Sequence, residues 1–195
     1  MFASNEKNIE IGEYIELEDG IYRKISEFDL RKVNTFDFPI GKKEKGELKQ
    51  IAKKANPAIA AGSIDFSNLD NSIKDYLKYL EKDWNNNFVY SPVLNNSRIR
   101  FDSNSFKHFY YSGRKQRSLD ELESRAKCLP YIRNIIEENG IKGCCSLDER
   151  KHLGFVIMGR AEIDGKDTAI KVIVAKKKKD KLYYLSVNNY GEILK

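Results

Sequence analysis

The sequence predicts an α+β protein: helices packed on an antiparallel β-meander, preceded by a small mixed α/β N-terminal region. Three features predict it. Residues 154–163, 168–175 and 182–187 are apolar, β-branched runs joined by short polar turns. Ser118-Leu119-Asp120-Glu121 has the spacing of a capping box and opens an amphipathic segment. Two stretches before residue 88 repeat apolar residues at helical spacing.

Taken in order, residues 9–25 alternate as a hairpin does, through Tyr14-Ile15-Glu16-Leu17, a turn at Asp19-Gly20, and Ile21 to Ile25. Residues 32–45 are irregular, broken by Pro39 and Gly41. Glu47 to Ala55 carries an apolar stripe at Leu48, Ile51, Ala52 and Ala55, and Asn56-Pro57 stops it. Leu69 to Trp84 places Leu69, Ile73, Tyr76, Leu77, Leu80 and Trp84 on one helical face, as a core stripe. The run Asn85-Asn86-Asn87 reads as a loop and as the boundary between an accessory region, 1–87, and a second domain, 88–195. Beyond it, Phe88 to Leu94 and Arg98 to Phe101 form a short hairpin around Asn95-Asn96. A helical turn carries Phe106 to Phe109 and ends at Gly113. The helix opened by Ser118 buries Leu119, Leu122, Ala126 and Leu129; Ile132, Ile135 and Ile136 continue an apolar face until Asn139-Gly140 closes the segment. In the meander, Ile170, Val172 and Val174 face one way and Lys171 and Ile173 the other.

The net charge of +6 is unevenly placed. Residues 1–100 hold 16 basic and 16 acidic side chains, while residues 101–195 hold 19 and 13. The C-terminal half is therefore the end that attracts a polyanion, unless the lysines merely solvate the surface. No apolar run is long enough for a membrane span and the N-terminus lacks a signal-peptide pattern, so a cytoplasmic protein, or one delivered into a target cell, is expected. Cys128, Cys144 and Cys145 do not make a disulfide framework and are read as thiols. No phosphate loop, dinucleotide fingerprint or zinc spacing is present, and neither metal nor cofactor is expected.

His108 is the first candidate for chemistry. It stands among Lys107, Arg114, Lys115 and Arg117, with no acid between residues 103 and 119. An imidazole exchanges protons near neutrality, and neighbouring cations hold phosphate. The plain alternative is a histidine at the end of a short helix. Arg125 flanks the buried stripe of the capped helix, free to point along the sheet or to pair with Glu121. Arg160 lies mid-strand, with Glu162 as an available partner. Lys171, Tyr183 and Ser186 offer amine and hydroxyl groups on the last two strands, the lysine turn from Lys176 offers charge, and His152 has no evident partner.

Residues 88–187 resemble a phage-associated member of the barnase–EndoU–colicin–RelE-like ribonuclease superfamily. The residues that carry the resemblance are Val89 to Leu94, Phe101, Phe106-Lys107-His108-Phe109, Arg117, Glu123 to Pro130 and Ile135-Ile136, followed by the meander. The resemblance implies helices on a sheet of about four antiparallel strands whose open face takes RNA. It implies that His108 is the catalytic histidine and Arg125 the basic residue of the second helix, with Arg160 and Ser186 substrate-facing. It further implies an immunity or antitoxin protein as partner.

The expected function is thus a metal-independent endoribonuclease, a toxin or phage effector, cutting RNA (tRNA among the candidates) by attack of the 2′-hydroxyl. Catalysis is expected from His108, Arg125, Arg160 and Ser186, and RNA binding from Lys107, Arg114, Lys115, Arg117, Lys171 and Tyr183. The competing expectation is a non-catalytic RNA-binding or phage structural domain that keeps the fold.

Overall fold

The structure is a computed structural model that describes residues 14–16, 22–24, 38–39, 41, 43–101, 103–147, 153–176 and 181–194. Strands β1 (Tyr14–Glu16) and β2 (Tyr22–Lys24) pair antiparallel, with Tyr14 opposite Lys24. The expected turn at Asp19-Gly20 lies outside the described residues, as do His152 and the lysines after Lys176 in the last turn. Apart from short 3₁₀ turns at Phe66–Asn68, Pro92–Leu94 and Leu129–Tyr131, the remaining described elements are α1 (Lys45–Lys53), α2 (Leu69–Asn87), β3 (Val89–Ser91), β4 (Ser97–Arg100), α3 (Asn104–Tyr110), β5 (Tyr111–Ser112), β6 (Lys115–Gln116), α4 (Leu119–Ala126), α5 (Ile132–Asn134, running on as a π-turn to Asn139), β7 (Ile141–Leu147), β8 (Leu153–Ile163), β9 (Lys166–Lys176) and β10 (Leu182–Glu192).

The architecture is α+β, as expected, but the sheet is larger and not wholly antiparallel. Six strands run in the order β3-β4-β10-β9-β8-β7. The meander β8-β9-β10 is antiparallel, closed at one end by the turn Asp164-Gly165, both of whose residues have positive φ. The β10–β4 pair is parallel and short, joining only Leu182 to Ile99 and Tyr183 to Arg100. Strand β7 was not predicted, because its Lys-Gly-Cys-Cys run lacks the apolar alternation that marks a strand.

One face of the sheet carries the main core. Phe155, Ile157, Val172, Val174, Tyr184 and Val187 pack there against Ile73, Leu77, Leu80 and Trp84 of α2 and against Leu122, Ala126, Ile132 and Ile135. Trp84, Phe101 and Tyr184 form its aromatic centre, with Phe101 stacked on Tyr184 at 5.4 Å between centroids. The opposite face is not open along β7, β8 and β9. There α1 places Leu48, Ile51 and Ala52 on Cys144, Val156, Met158 and Ala169. Pro39 and Gly41 hydrogen-bond to both sides of Cys145 and so cover the β7 edge, and Ala58 N–H donates to Arg160 O at 2.7 Å.

These contacts bear on the expected organisation. The asparagine run is the last turn of α2 and not a loop. Residues on both sides of position 87 enter one core, so the described residues from Phe38 to Asn87 are built into the sheet's two faces and its edge. Leu119, expected in the buried stripe of α4, is 68 % exposed, and Arg125 takes its place beside Leu122 and Ala126. Gly140 is needed for a reason other than the expected helix cap: its φ is −81°, and a Cβ there would lie 2.3 Å from the Ile135 carbonyl oxygen.

The burial pattern yields a paired prediction. Leu48→Ala should cost about 2–5 kcal/mol because it opens a cavity under α1. Leu119→Ala should stay within about 0.5 kcal/mol. Urea unfolding of both variants checks it; equal effects would place α1 off the sheet.

Candidate functional site

Strand β10 leaves β4 after Tyr183, and from there its outer margin is lined by α3 and α4. Ser105 Oγ on α3 donates to Tyr184 O at 2.7 Å and ties the helix to the strand. A bulge at Leu185 then shifts the register between Tyr184 and Ser186. The shift lets Val187 return to the core while Ser186 is buried facing the helices.

Arg125 reaches into this margin from α4 and is only 2 % exposed. Its guanidinium donates to Ser186 Oγ (2.5 Å), to His108 O (3.3 Å) and to Asn188 Oδ1. Its carbon end lies over the Phe109 ring, 5.2 Å from the centroid. Every hydrogen-bond acceptor is neutral, and among the described residues no carboxylate forms an ion pair with it. Glu121, the expected partner one turn back, is bound by Arg117 instead. Burial, with the nearby Arg117 adding to it, pushes the Arg125 guanidinium down to about 10, so it remains charged at neutral pH. The Nε has no hydrogen-bond partner. The result is a buried cation that joins α3, α4 and β10 through neutral oxygens.

The side chain of His108 points the other way. It is exposed on α3, and the atom held by Arg125 is its carbonyl oxygen. Helix α3 runs directly into the β5–β6 hairpin, turned by Gly113 at φ 60° followed by Arg114. Lys107, Arg114 and Lys115 are all exposed on this arm. Among the described residues no carboxylate pairs with these three, whereas Arg117, Lys127, Arg133 and Arg160 each hold one or two. Tyr111 is exposed beside them.

Of the expected catalytic group, the fold therefore brings together Arg125, Ser186 and the backbone of His108. Arg160 is elsewhere. It pairs with Asp167 at 3.0 Å, not with Glu162, and stands beside the Pro57–Ala58 segment. Lys171 is opposite Asn188 in register, but it is half-buried with its amine over Tyr190, at 4.8 Å. Tyr183 is half-buried in register with Arg100. On the face that carries Arg160 and Lys171, α1 and its flanking segment pack over β7, β8 and β9. Asn188 was missed; an asparagine within a strand carries no local signal of a partner 63 residues away.

All three cysteines are buried free thiols, and burial pushes Cys128 and Cys145 up to about 12. Among the described residues no group of three His, Cys, Asp or Glu side chains is arranged to hold a metal ion, and no helix is long and apolar enough to cross a membrane. A shallow groove beside α4 is lined by Asp120, Glu123, Ser124, Lys127, Asp164 and Asn189, and Lys127 neutralises part of its acidity.

The Arg125 contacts predict that Arg125→Met, close in volume, strands the Ser186, Asn188 and His108 oxygens and lowers stability by about 2–4 kcal/mol. Ser186→Ala should cost about 1–3 kcal/mol. Chemical denaturation reads both; an unchanged midpoint for Arg125→Met would show that the guanidinium is not holding the margin. Compared with protein-family models, with curated proteins and with solved structures, the chain finds no match.

Proposed function

We propose that the chain is a metal-independent endoribonuclease whose substrate-facing surface is the α3–β5–β6 arm. The observation that carries the reading is the arm itself: an exposed histidine among exposed cations that no described carboxylate neutralises. His108 is assigned the proton transfer. Its imidazole takes the 2′-hydroxyl proton, O2′ bonds to phosphorus, and the bond to the 5′-oxygen breaks. That oxygen leaves with a proton from solvent, and the products carry a 2′,3′-cyclic phosphate and a 5′-hydroxyl. Lys107, Arg114 and Lys115 hold the phosphate backbone. Arg125 is a positioning residue in this account. At 2 % exposure it does not touch RNA; it fixes the turn that bears His108. Arg160 and Lys171 have no assigned part. An immunity or antitoxin protein that covers the arm fits the same reading.

A second reading keeps RNA binding and drops cleavage. It is favoured by the burial of Arg125 and the pairing of Arg160 with Asp167, which leave His108 without the phosphate-gripping groups expected beside it.

The test uses full-length protein, a long RNA and total tRNA, with EDTA present. His108→Ala should lower cleavage by about 10²-fold or more, since a positioned histidine contributes about 10² to 10⁴. RNA affinity should stay within twofold. Lys115→Ala and Arg114→Ala should each weaken binding and reduce the salt dependence by about one ion. Binding without cleavage by the wild type selects the second reading; binding that ignores salt removes both.

A further inference from the structure

We infer that the β3–β4 hairpin is a base-stacking platform for single-stranded RNA. The inference rests on the RNA reading above and specifies its substrate class.

Alternation along the hairpin puts Val89 and Ile99 into the core and turns Tyr90 and Arg98 outward, directly opposite one another. Tyr90 is 48 % exposed and Phe88 44 %. The guanidinium carbon of Arg98 sits 3.7 Å from the centre of the Phe88 ring. At that distance the cation–π contact holds the half-buried Arg98 in place. Phe88 reaches this position by adopting a φ of 36°, a conformation an aromatic residue rarely takes. Arg100 follows on the same side of β4, in register with Tyr183 of β10. Among the described residues no carboxylate pairs with Arg98 or Arg100.

An exposed aromatic beside a fixed guanidinium, with a second arginine two residues along, matches the needs of an unpaired nucleotide. One π-face stacks on a base, and the charges take the flanking phosphates. A duplex hides its base faces and leaves only the phosphate contacts. An acidic protein partner would also use the arginines and bury the Tyr90 ring; the RNA reading of the arm decides for a nucleic acid here. The platform is therefore assigned to RNA, with a protein occupant as an outcome of the test.

The experiment compares a labelled single-stranded 12-mer with a duplex of the same length by fluorescence anisotropy, using the full chain. Tyr90→Ala should weaken single-strand binding about tenfold, the loss expected of one stacked base, and leave duplex binding unchanged. Tyr90→Trp should retain the affinity, which separates loss of stacking from loss of folding. Arg98→Ala should weaken both and flatten the salt dependence, while Tyr90→Ala leaves that dependence as it was. Equal losses on single strand and duplex, or none on either, would overturn the platform. If Tyr90→Ala is silent while Arg114→Ala and Lys115→Ala lose affinity, the platform alone fails. If the wild type binds neither RNA, the RNA reading fails with it, and a protein occupant remains for the two arginines.

Discussion

A charged guanidinium buried among neutral oxygens is the constraint around which this end of the molecule is arranged. Desolvating a cation costs several kcal/mol unless its hydrogen bonds are replaced. Arg125 replaces them with Ser186, Asn188 and the His108 carbonyl, which lie on two different elements. Ser186 and Asn188 are presented by the bulge that follows Tyr184, and the His108 carbonyl by a helix already anchored through Ser105. The margin of β10 thus gains its cover from the same contacts that satisfy the arginine.

Burying Arg125 also decides what faces outward. With the guanidinium turned in and the His108 carbonyl bound to it, the imidazole and Lys107 stand on the solvent side of α3. Charge then divides into two populations. Arg117, Lys127, Arg133 and Arg160 are spent on ion pairs within the fold. Lys107, Arg114 and Lys115 on the arm, and Arg98 and Arg100 on the β3–β4 hairpin, have no carboxylate partner among the described residues. Surface pairs contribute little to stability, so the distinction matters less for folding than for the field a polyanion meets.

Much of the scaffold was legible because it follows simple periods. The meander alternates, the α2 stripe repeats at helical spacing, and Ser118 caps α4 by accepting from Glu121 N–H. What was not legible depends on distant partners. Strand β7 forms because β8 offers an edge, despite Gly143 and two cysteines in its sequence. Helix α1 looked like any amphipathic helix, and nothing local said that it would close the sheet's second face. The site was legible by residue type but not by role. His108, Arg125 and Ser186 stand near one another, yet the stripe read at 119, 122, 126 and 129 leaves Arg125 on its flank, whereas it lies buried beside Leu122 and Ala126 and holds a backbone carbonyl. Arg160 was misplaced because its partner, Asp167, comes from across the hairpin and not from its own strand.

In the proposed function, His108, fixed from beneath by Arg125, performs proton transfer on RNA. The most direct measurement is the chemistry of the ends left on RNA after incubation with the purified chain, read by phosphatase sensitivity before and after mild acid. Fragments ending in a 2′,3′-cyclic phosphate, formed by the wild type and not by His108→Ala, are the predicted result. Fragments ending in a 3′-hydroxyl, or cyclic ends produced equally by the variant, would contradict it.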